Sequence, residues 1–511
     1  MDRLSGTKKV LCCLALVIAA AVTGLFYRVE TTRRLTAIVV FLLIVTAVSG
    51  VIVYKKKGRY ALCFLMVFAF IIKAEYIIYT PTWLRQHDVI GFGAGFGQAG
   101  FIEYFAEKIR LIDFDPRSLW GFFQPPLHHM LAGLWLRGWS QARGVLGISY
   151  DQCCEAVQCL TLIYSCLITV FAYKILKLLD IKGKALFVGT AFAALHPCFI
   201  QMSGSINNDI LCVLFILVSM YFFILWLNEE RGKSLILSGL FLGLAMMTKL
   251  SAILLAPAIG ILMLLKLWNY IKEKKKIRDI RSLLLLYLGF GAVSVPLGCF
   301  FPVRNLLLFG VPLNYTPPVG EPLDKVTLFQ RFFDFKGAAN PFTNMIANGN
   351  DFDEYNIFLA ILKTSIFGEA DFSKTSSVST IVGCLLLLSG ALLSIIIFVL
   401  FAAMLIKNIK GRFAGKAAKK ELFMLLIMLT GFGFLLNLCL SIPNFSSQDF
   451  RYIAHLIVPE AYLIAGALYI DDRSKESKGV ILAKKMLCAL AVVFLLLSVI
   501  MYLLAGMVVW N

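Results

Sequence analysis

Residues 79–144 read YTPTWLRQHDVIGFGAGFGQAGFIEYFAEKIRLIDFDPRSLWGFFQPPLHHMLAGLWLRGWSQARG. This is the first long polar interruption after the opening apolar runs, and it places His87-Asp88 a few residues beyond a stretch long enough to be a membrane helix. An ionisable pair there sits at the lipid–water boundary, where a carboxylate stays charged and still reaches a lipid phosphate. A membrane enzyme with a lipid-linked substrate would put its base in that position.

Composition agrees with a membrane setting. Of the 511 residues, 59% are hydrophobic and mean hydropathy is +0.82, far more apolar surface than a water-soluble core can bury. The formal charge of +19 raises nucleic acid as a partner. Lys and Arg fall in short clusters between apolar runs, however, as the positive-inside rule expects, so topology accounts for the basicity. Thirteen cysteines lie mostly inside apolar runs with no CxxC pair. They form neither a zinc pattern nor a disulfide framework and read as small buried hydrophobes.

About 20 apolar residues cross a bilayer. Spans are expected near 10–26, 35–54 and 60–79, with Lys55-Lys56-Lys57 and Arg59 holding the second junction in the cytoplasm and Asp88 outside. The first could be a signal peptide with a cleavage site near Ala19-Ala20-Ala21, but a second span follows at once and a retained helix is expected. The helix at Pro125 to Gln141 decides the rest. If it crossed, every later basic cluster would invert; its short apolar face, interrupted by Arg137, suits a helix lying in the outer interface. Lys174 to Lys184, Arg231 and Lys233, Lys272 to Lys276, Lys407 to Lys420 and Lys484-Lys485 then all fall inside. The remaining spans lie near 152–176, 184–201, 208–227, 234–248, 252–268, 282–301, 377–405, 422–441, 453–470 and 486–509. The expected fold is thus all-α and polytopic, with about 13 membrane helices, the N-terminus inside and the C-terminus outside. Asp88, Asp209, Arg304, Asp449 and Arg451 collect on the outer face, although none of them was used to set the topology.

Between Phe309 and Val378 lies one long hydrophilic loop, too polar to cross and too long for a tight turn. Gly95-Phe96-Gly97-Gln98-Ala99-Gly100 matches GxGxxG, but it follows a membrane helix rather than a strand, which argues against a nucleotide fold. Lys73 and Glu75 lie inside a span. Intramembrane charges are functional candidates by default, unless they reach the nearby interface.

An acidic residue just past a membrane helix, then a Gly-rich helix with a Tyr, then a Pro-Pro-Leu turn resembles the C-type (GT-C) polytopic glycosyltransferases. These include the protein O-mannosyltransferases, the lipid A aminoarabinose transferase and many bacterial relatives. The matching residues are His87-Asp88, Gly100 to Tyr104 and Gln124-Pro125-Pro126-Leu127-His128-His129, with echoes at Asn207-Asn208-Asp209, Thr248-Lys249, Arg304-Asn305 and Arg451-Tyr452. The family usually reads His-Pro-Pro-Leu-Tyr-Tyr or Glu-Pro at the third motif, so Gln124 and the His pair are departures. The resemblance implies two N-terminal helices at 1–54, a catalytic membrane module at 55–310 that includes an outer loop 80–151, an extracytoplasmic loop 311–376 and C-terminal helices at 377–511. It also implies a location in a bacterial cell membrane.

What the resemblance implies for chemistry is transfer of a sugar from a polyprenyl phosphate donor to an extracytoplasmic acceptor, with inversion. Such transfer needs an acceptor hydroxyl to lose its proton as it attacks, and a carboxylate suits that task. Asp88 is the candidate base; His87 orients it or is an exposed loop residue. Asp209 lines the site in the family or caps its helix. Gln124 and His128 or His129 face the same region, though adjacent histidines on a helix point different ways. A divalent metal held with Asp88 is an open option. Lys249, Arg304 and Arg451 stand at outer span ends, where a phosphate would lie or where a long cation simply snorkels; Arg451, with Tyr452, is the best placed. The rival reading is a lipid or polysaccharide transporter. It predicts inverted repeats and midplane charges between broken helices, neither of which is clear in the chain. A catalytically inactive scaffold is a third option.

Overall fold

The computed structural model describes residues 32–57, 60–82, 84, 88–313, 315–318, 323, 325–343, 354–370, 372, 377–411, 415–469 and 477–506. The expected span at 10–26 and His87 lie outside them. Among the described residues the chain is helical and carries no strand, which is what lipid demands of a backbone that cannot leave its polar groups unpaired. Eight helices are long and apolar enough to cross a membrane, and four shorter ones are apolar without reaching that length.

In chain order, α1 (Thr32–Lys57) and α2 (Ala61–Ile78) open the described part. The outer segment holds α3 (Gly97–Lys108) and α4 (Leu127–Leu146). Helix α4 is the element that decided the topology, and it is not among the helices fit to cross. One face, with His128, His129, Ala132, Gly133 and Leu136, is buried, while Leu131 and Leu134 are exposed. Its tight seat on α3 requires glycine: a Cβ on Gly133 would meet the Phe105 Cβ at 2.6 Å. Arg137, which breaks the apolar face, donates to the Ala106 carbonyl at 2.8 Å.

Helices α5 (Tyr150–Glu155) and α6 (Val157–Leu178) run on as one membrane-length unit. The expected span at 184–201 is corrected to two pieces, α7 (Gly183–Leu195) and α8 (Pro197–Gln201), parted by an extended His196. Pro197 causes the break, because a proline ring bars the preceding residue from helical geometry. Then come α9 (Asp209–Glu229), α10 (Gly232–Thr248), α11 (Leu255–Lys272) and α12 (Ile277–Phe309). Ser219 and Ser238 exchange hydrogen bonds between α9 and α10. Gly239 and Gly243 let α10 lie close on α12, since a Cβ on Gly239 would meet the Phe290 carbonyl oxygen at 2.9 Å. Small residues four apart are a common way for membrane helices to gain close contact where no hydrophobic effect drives them together.

The expected hydrophilic loop is less uniform than its composition suggests. It holds α13 (Leu328–Phe333) and α14 (Ile357–Phe367); α14 is apolar and buries Ile357, Ala360 and Ile366. On it the ammonium of Lys363, wholly buried, donates to the carbonyls of Gly337 (2.7 Å) and Phe342 (3.0 Å) and pairs with Glu354. Those bonds hold the loop's own segments to α14. The last elements are α15 (Ser377–Lys410), α16 (Gly415–Ser441), α17 (Ile457–Leu468) and α18 (Lys478–Gly506). Here the expected span 453–470 is also corrected: it starts as 3-10 turns at Phe450–Leu456 and continues as a 12-residue α17, about 18 Å long against a hydrocarbon core of about 30 Å. The two breaks meet, with the His196 and Phe450 rings stacked at 6.3 Å. Lys73 does not snorkel. It is buried on α2 and donates to the Ser165 carbonyl (3.2 Å) and Thr169 Oγ1 (3.3 Å) of α6.

Candidate active site

Asp88 sits on a stiff platform. Its carbonyl accepts from the Gln98 N–H (3.1 Å) and that of Val89 from Ala99 (3.3 Å), which pins the 88–89 strip to the start of α3. Gly97 takes φ +76°, and a Cβ there would strike Ile90 at 2.6 Å, so the GxGxxG stretch is a turn for close backbone approach rather than a phosphate cradle.

Asp209 opens α9, where a carboxylate meets the positive end of the helix dipole. It pairs with Lys249, the residue at the α10 exit. Next to it, Asn208 Nδ2 donates to Gln124 Oε1 (2.6 Å) and to the Thr248 carbonyl (2.9 Å). One amide thus ties the Gln-Pro-Pro turn, the start of α9 and the end of α10 together, and Gln124 acts as a link in the site's wall.

Arg451 is the hub. Its guanidinium lies 3.2 Å from Asp88 Oδ1, 3.0 Å from Asp449 Oδ2, 3.5 Å from Glu369 Oε1 and 3.8 Å from Asp209 Oδ2. The Asp449 side chain also accepts from the Arg451 backbone N–H at 2.8 Å, which sets the turn. Arg451 Nε meets Asp449 as an ion pair without an aligned hydrogen bond. The Tyr452 ring lies 4.6 Å from Lys249 Nζ and 5.5 Å from the Arg451 guanidinium carbon, so an aromatic face serves both cations. Four carboxylates therefore face two cations in a largely buried site. Beside it opens a narrow cleft bordered by Thr80, Gln201, Ser205, Glu369 and Arg451.

Burial opposes the Arg451 charge, but Asp88, Glu369 and Asp449 outweigh it and hold the guanidinium well above its ordinary value. Burial likewise pushes the Asp449 carboxyl up to about 7, against the pull of Arg451. An acid with a raised native pKa holds its proton longer folded than unfolded, so stability falls as pH rises from about 3.8 to about 7. Asp449→Asn should flatten that slope, as melting temperatures taken at pH 4.5 and 8 will register. Equal slopes in both proteins would rule out a raised Asp449.

Compared with known proteins, residues 147–295 match the family model for dolichyl-phosphate-mannose-protein mannosyltransferase. That segment holds Asp209 and Lys249 but neither Asp88 nor Arg451. No curated protein matches the chain in sequence. Among solved structures, the archaeal oligosaccharyltransferase AglB from Archaeoglobus fulgidus, in complex with an inhibitory peptide and a dolichol-phosphate, aligns at TM-score 0.51 and 13% identity over 88% of this chain. The fold is shared with that oligosaccharyltransferase. The apo form of the Archaeoglobus fulgidus oligosaccharyltransferase also gives TM-score 0.51, at 14% identity over 88% of this chain. This chain spans 56% of the length of either.

Within this fold, Asp88, Asp209, Lys249, Arg451 and Tyr452 come together, with Gln124 held to the neighbouring Asn208. The other expected residues have partners of their own. His128 Nε2 donates to the Ile206 carbonyl (2.8 Å) and His129 Nε2 contacts Gln98 Oε1 (2.6 Å), its ring stacked on Phe101 at 4.5 Å. Burial lowers His128 to about 4 and His129 well below its usual range, so both are neutral wedges between α4 and its neighbours. Arg304 bonds the Ile112 carbonyl, Asn305 Oδ1 (3.0 Å) and the Phe309 ring (5.6 Å), tying α12 to the outer segment. One acid was not expected in the site, Glu369; Asp449 was expected on the same face, and its pairing with Arg451 is what the structure adds. Glu369 lies two residues past the end of an 11-residue apolar helix, the same pattern of acid after apolar run that singled out Asp88. Among the described residues, no group of three or more His, Cys, Asp or Glu side chains is arranged to hold a metal ion; the carboxylates converge on a guanidinium.

Proposed function

We propose that the chain is an integral membrane glycosyltransferase that moves a hexosyl or pentosyl group from a polyprenyl phosphate-linked donor to a glycan, lipid or protein acceptor, with inversion. The reaction takes place on the extracytoplasmic face of a bacterial cell membrane. One observation carries this: Asp88, just past a membrane helix, lies 3.2 Å from Arg451, and Arg451 shares the Tyr452 ring with Lys249. A base and a pair of phosphate-binding cations therefore stand side by side in a GT-C fold.

In this reading Asp88 takes the proton of an acceptor hydroxyl as its oxygen attacks the anomeric carbon. The bond from that carbon to the phosphate oxygen breaks, and its electron pair leaves with the carrier phosphate. Arg451, through its planar fork, and Lys249, as a point charge, take up the charge that develops there. To do so they must exchange some of their carboxylate partners for phosphate. The raised pKa of Asp449 helps, because a protonated Asp449 leaves Arg451 freer to accept the new anion.

The test is purified protein in lipid nanodiscs, given polyprenyl phosphates bearing single sugars and a set of glycan, lipid and peptide acceptors. Acceptor-dependent release of polyprenyl phosphate is the expected result. Movement of the intact donor across the bilayer with no sugar transferred would overturn the reading in favour of a flippase.

A further inference from the structure

At the far end of α9 from Asp209 lies a second cleft. Helix α9 has 21 residues, so the two sites are about 30 Å apart, the thickness of a hydrocarbon core. The cleft, of about 340 Å³, is bounded by the end of α9, the end of α11 and the start of α12, with Leu283 and Leu286 among its apolar lining. Two cations, Lys266 and Lys275, and two carboxylates, Glu230 and Asp279, line it together. Lys266 is 12% exposed, paired with Glu230 at 2.9 Å, and its ammonium stands 4.8 Å from the Trp226 ring and 5.7 Å from that of Tyr270. A lysine held this way is already positioned for an anion rather than trailing in water.

We propose that this cleft binds the headgroup of a zwitterionic phospholipid carrying a primary ammonium. Three observations lead there. The lining is balanced in charge, with sites for a phosphate (Lys266, Lys275) and for an ammonium (Glu230, Asp279), so a purely anionic headgroup would leave the two carboxylates facing it. Trp226 and Tyr270 sit at the level where amphipathic rings mark a membrane boundary. Leu283 and Leu286 in the lining itself give the cleft an apolar surface for the start of the acyl chains. A soluble phosphate compound would have no use for that surface. The inference does not depend on the glycosyltransferase reading.

The experiment is native mass spectrometry of the full chain purified in mild detergent and incubated with equal amounts of phosphatidylethanolamine and phosphatidylglycerol. Wild type should retain phosphatidylethanolamine several-fold over phosphatidylglycerol. Lys266→Gln should lose retention of both, and Asp279→Asn should lose the preference alone. Asp279 is exposed, so this second variant keeps the test independent of folding, checked by its elution volume. Equal retention of the two lipids by wild type, or an unchanged ratio in Asp279→Asn, overturns the proposal. Displacement of phosphatidylethanolamine by millimolar inorganic phosphate would also overturn it, because the cleft would then be a free-phosphate site.

Discussion

Asp88→Asn should lower turnover by about 10²–10⁴-fold while the protein folds and binds its lipid donor close to normally. The exchange keeps shape and removes only the capacity to take a proton. Stability should hold for a reason visible only in three dimensions. Asp88 is one of four carboxylates around Arg451, with Lys249 as the only other cation paired to the group among the described residues. Removing one negative charge from an acid-rich cluster relieves repulsion, which offsets the lost ion pair. Single-turnover rates at saturating donor and acceptor are the measurement. Full turnover in Asp88→Asn would remove Asp88 from the mechanism and leave Asp209 as the next carboxylate to test.

Arg451→Ala should cost about 3–5 kcal/mol of stability, the usual result of deleting one partner of a buried ion pair, because the carboxylates it holds are left facing one another. Read from sequence alone, the same change removes a cation at a span end and leaves the fold intact; the four partners of Arg451 alter that expectation. Arg451→Lys separates the two roles. It restores a charge to the cluster but not the planar fork, so melting temperature should recover most of the way while donor affinity stays weak. A donor affinity in Arg451→Lys equal to wild type would show that the guanidinium holds carboxylates only and does not grip the carrier phosphate.

The membrane helices were legible because their signal is local. An apolar run of 18 or more residues must be a helix in lipid, whatever surrounds it, and the described spans fall close to the expected ones from Ala61–Ile78 through Lys478–Ala505. The errors occurred where runs were short or interrupted. His196-Pro197 splits one expected span and the 3-10 turns before Ile457 shorten another, because hydropathy sums over a window and does not register where the backbone bends. Ile357–Phe367 was taken into a hydrophilic loop since its 11 residues are too few to cross, although they pack in the core.

Sequence by itself determined that this chain is an all-helical membrane protein and that Asp88, Asp209 and Asp449 stand near span ends, since length, hydropathy and flanking charge act residue by residue. It also singled out Asp88, Asp209, Lys249 and Arg451 by their places at span ends. Tertiary structure alone decided who meets whom. Asp88 and Arg451 are 363 residues apart, and no local pattern can tell that their side chains touch, that Glu369 joins them, or that Arg304, equally basic and equally placed at a span end, turns instead to the Ile112 carbonyl. Charge interactions in a buried site depend on distance and on the exclusion of water, and both are set only when the helices pack.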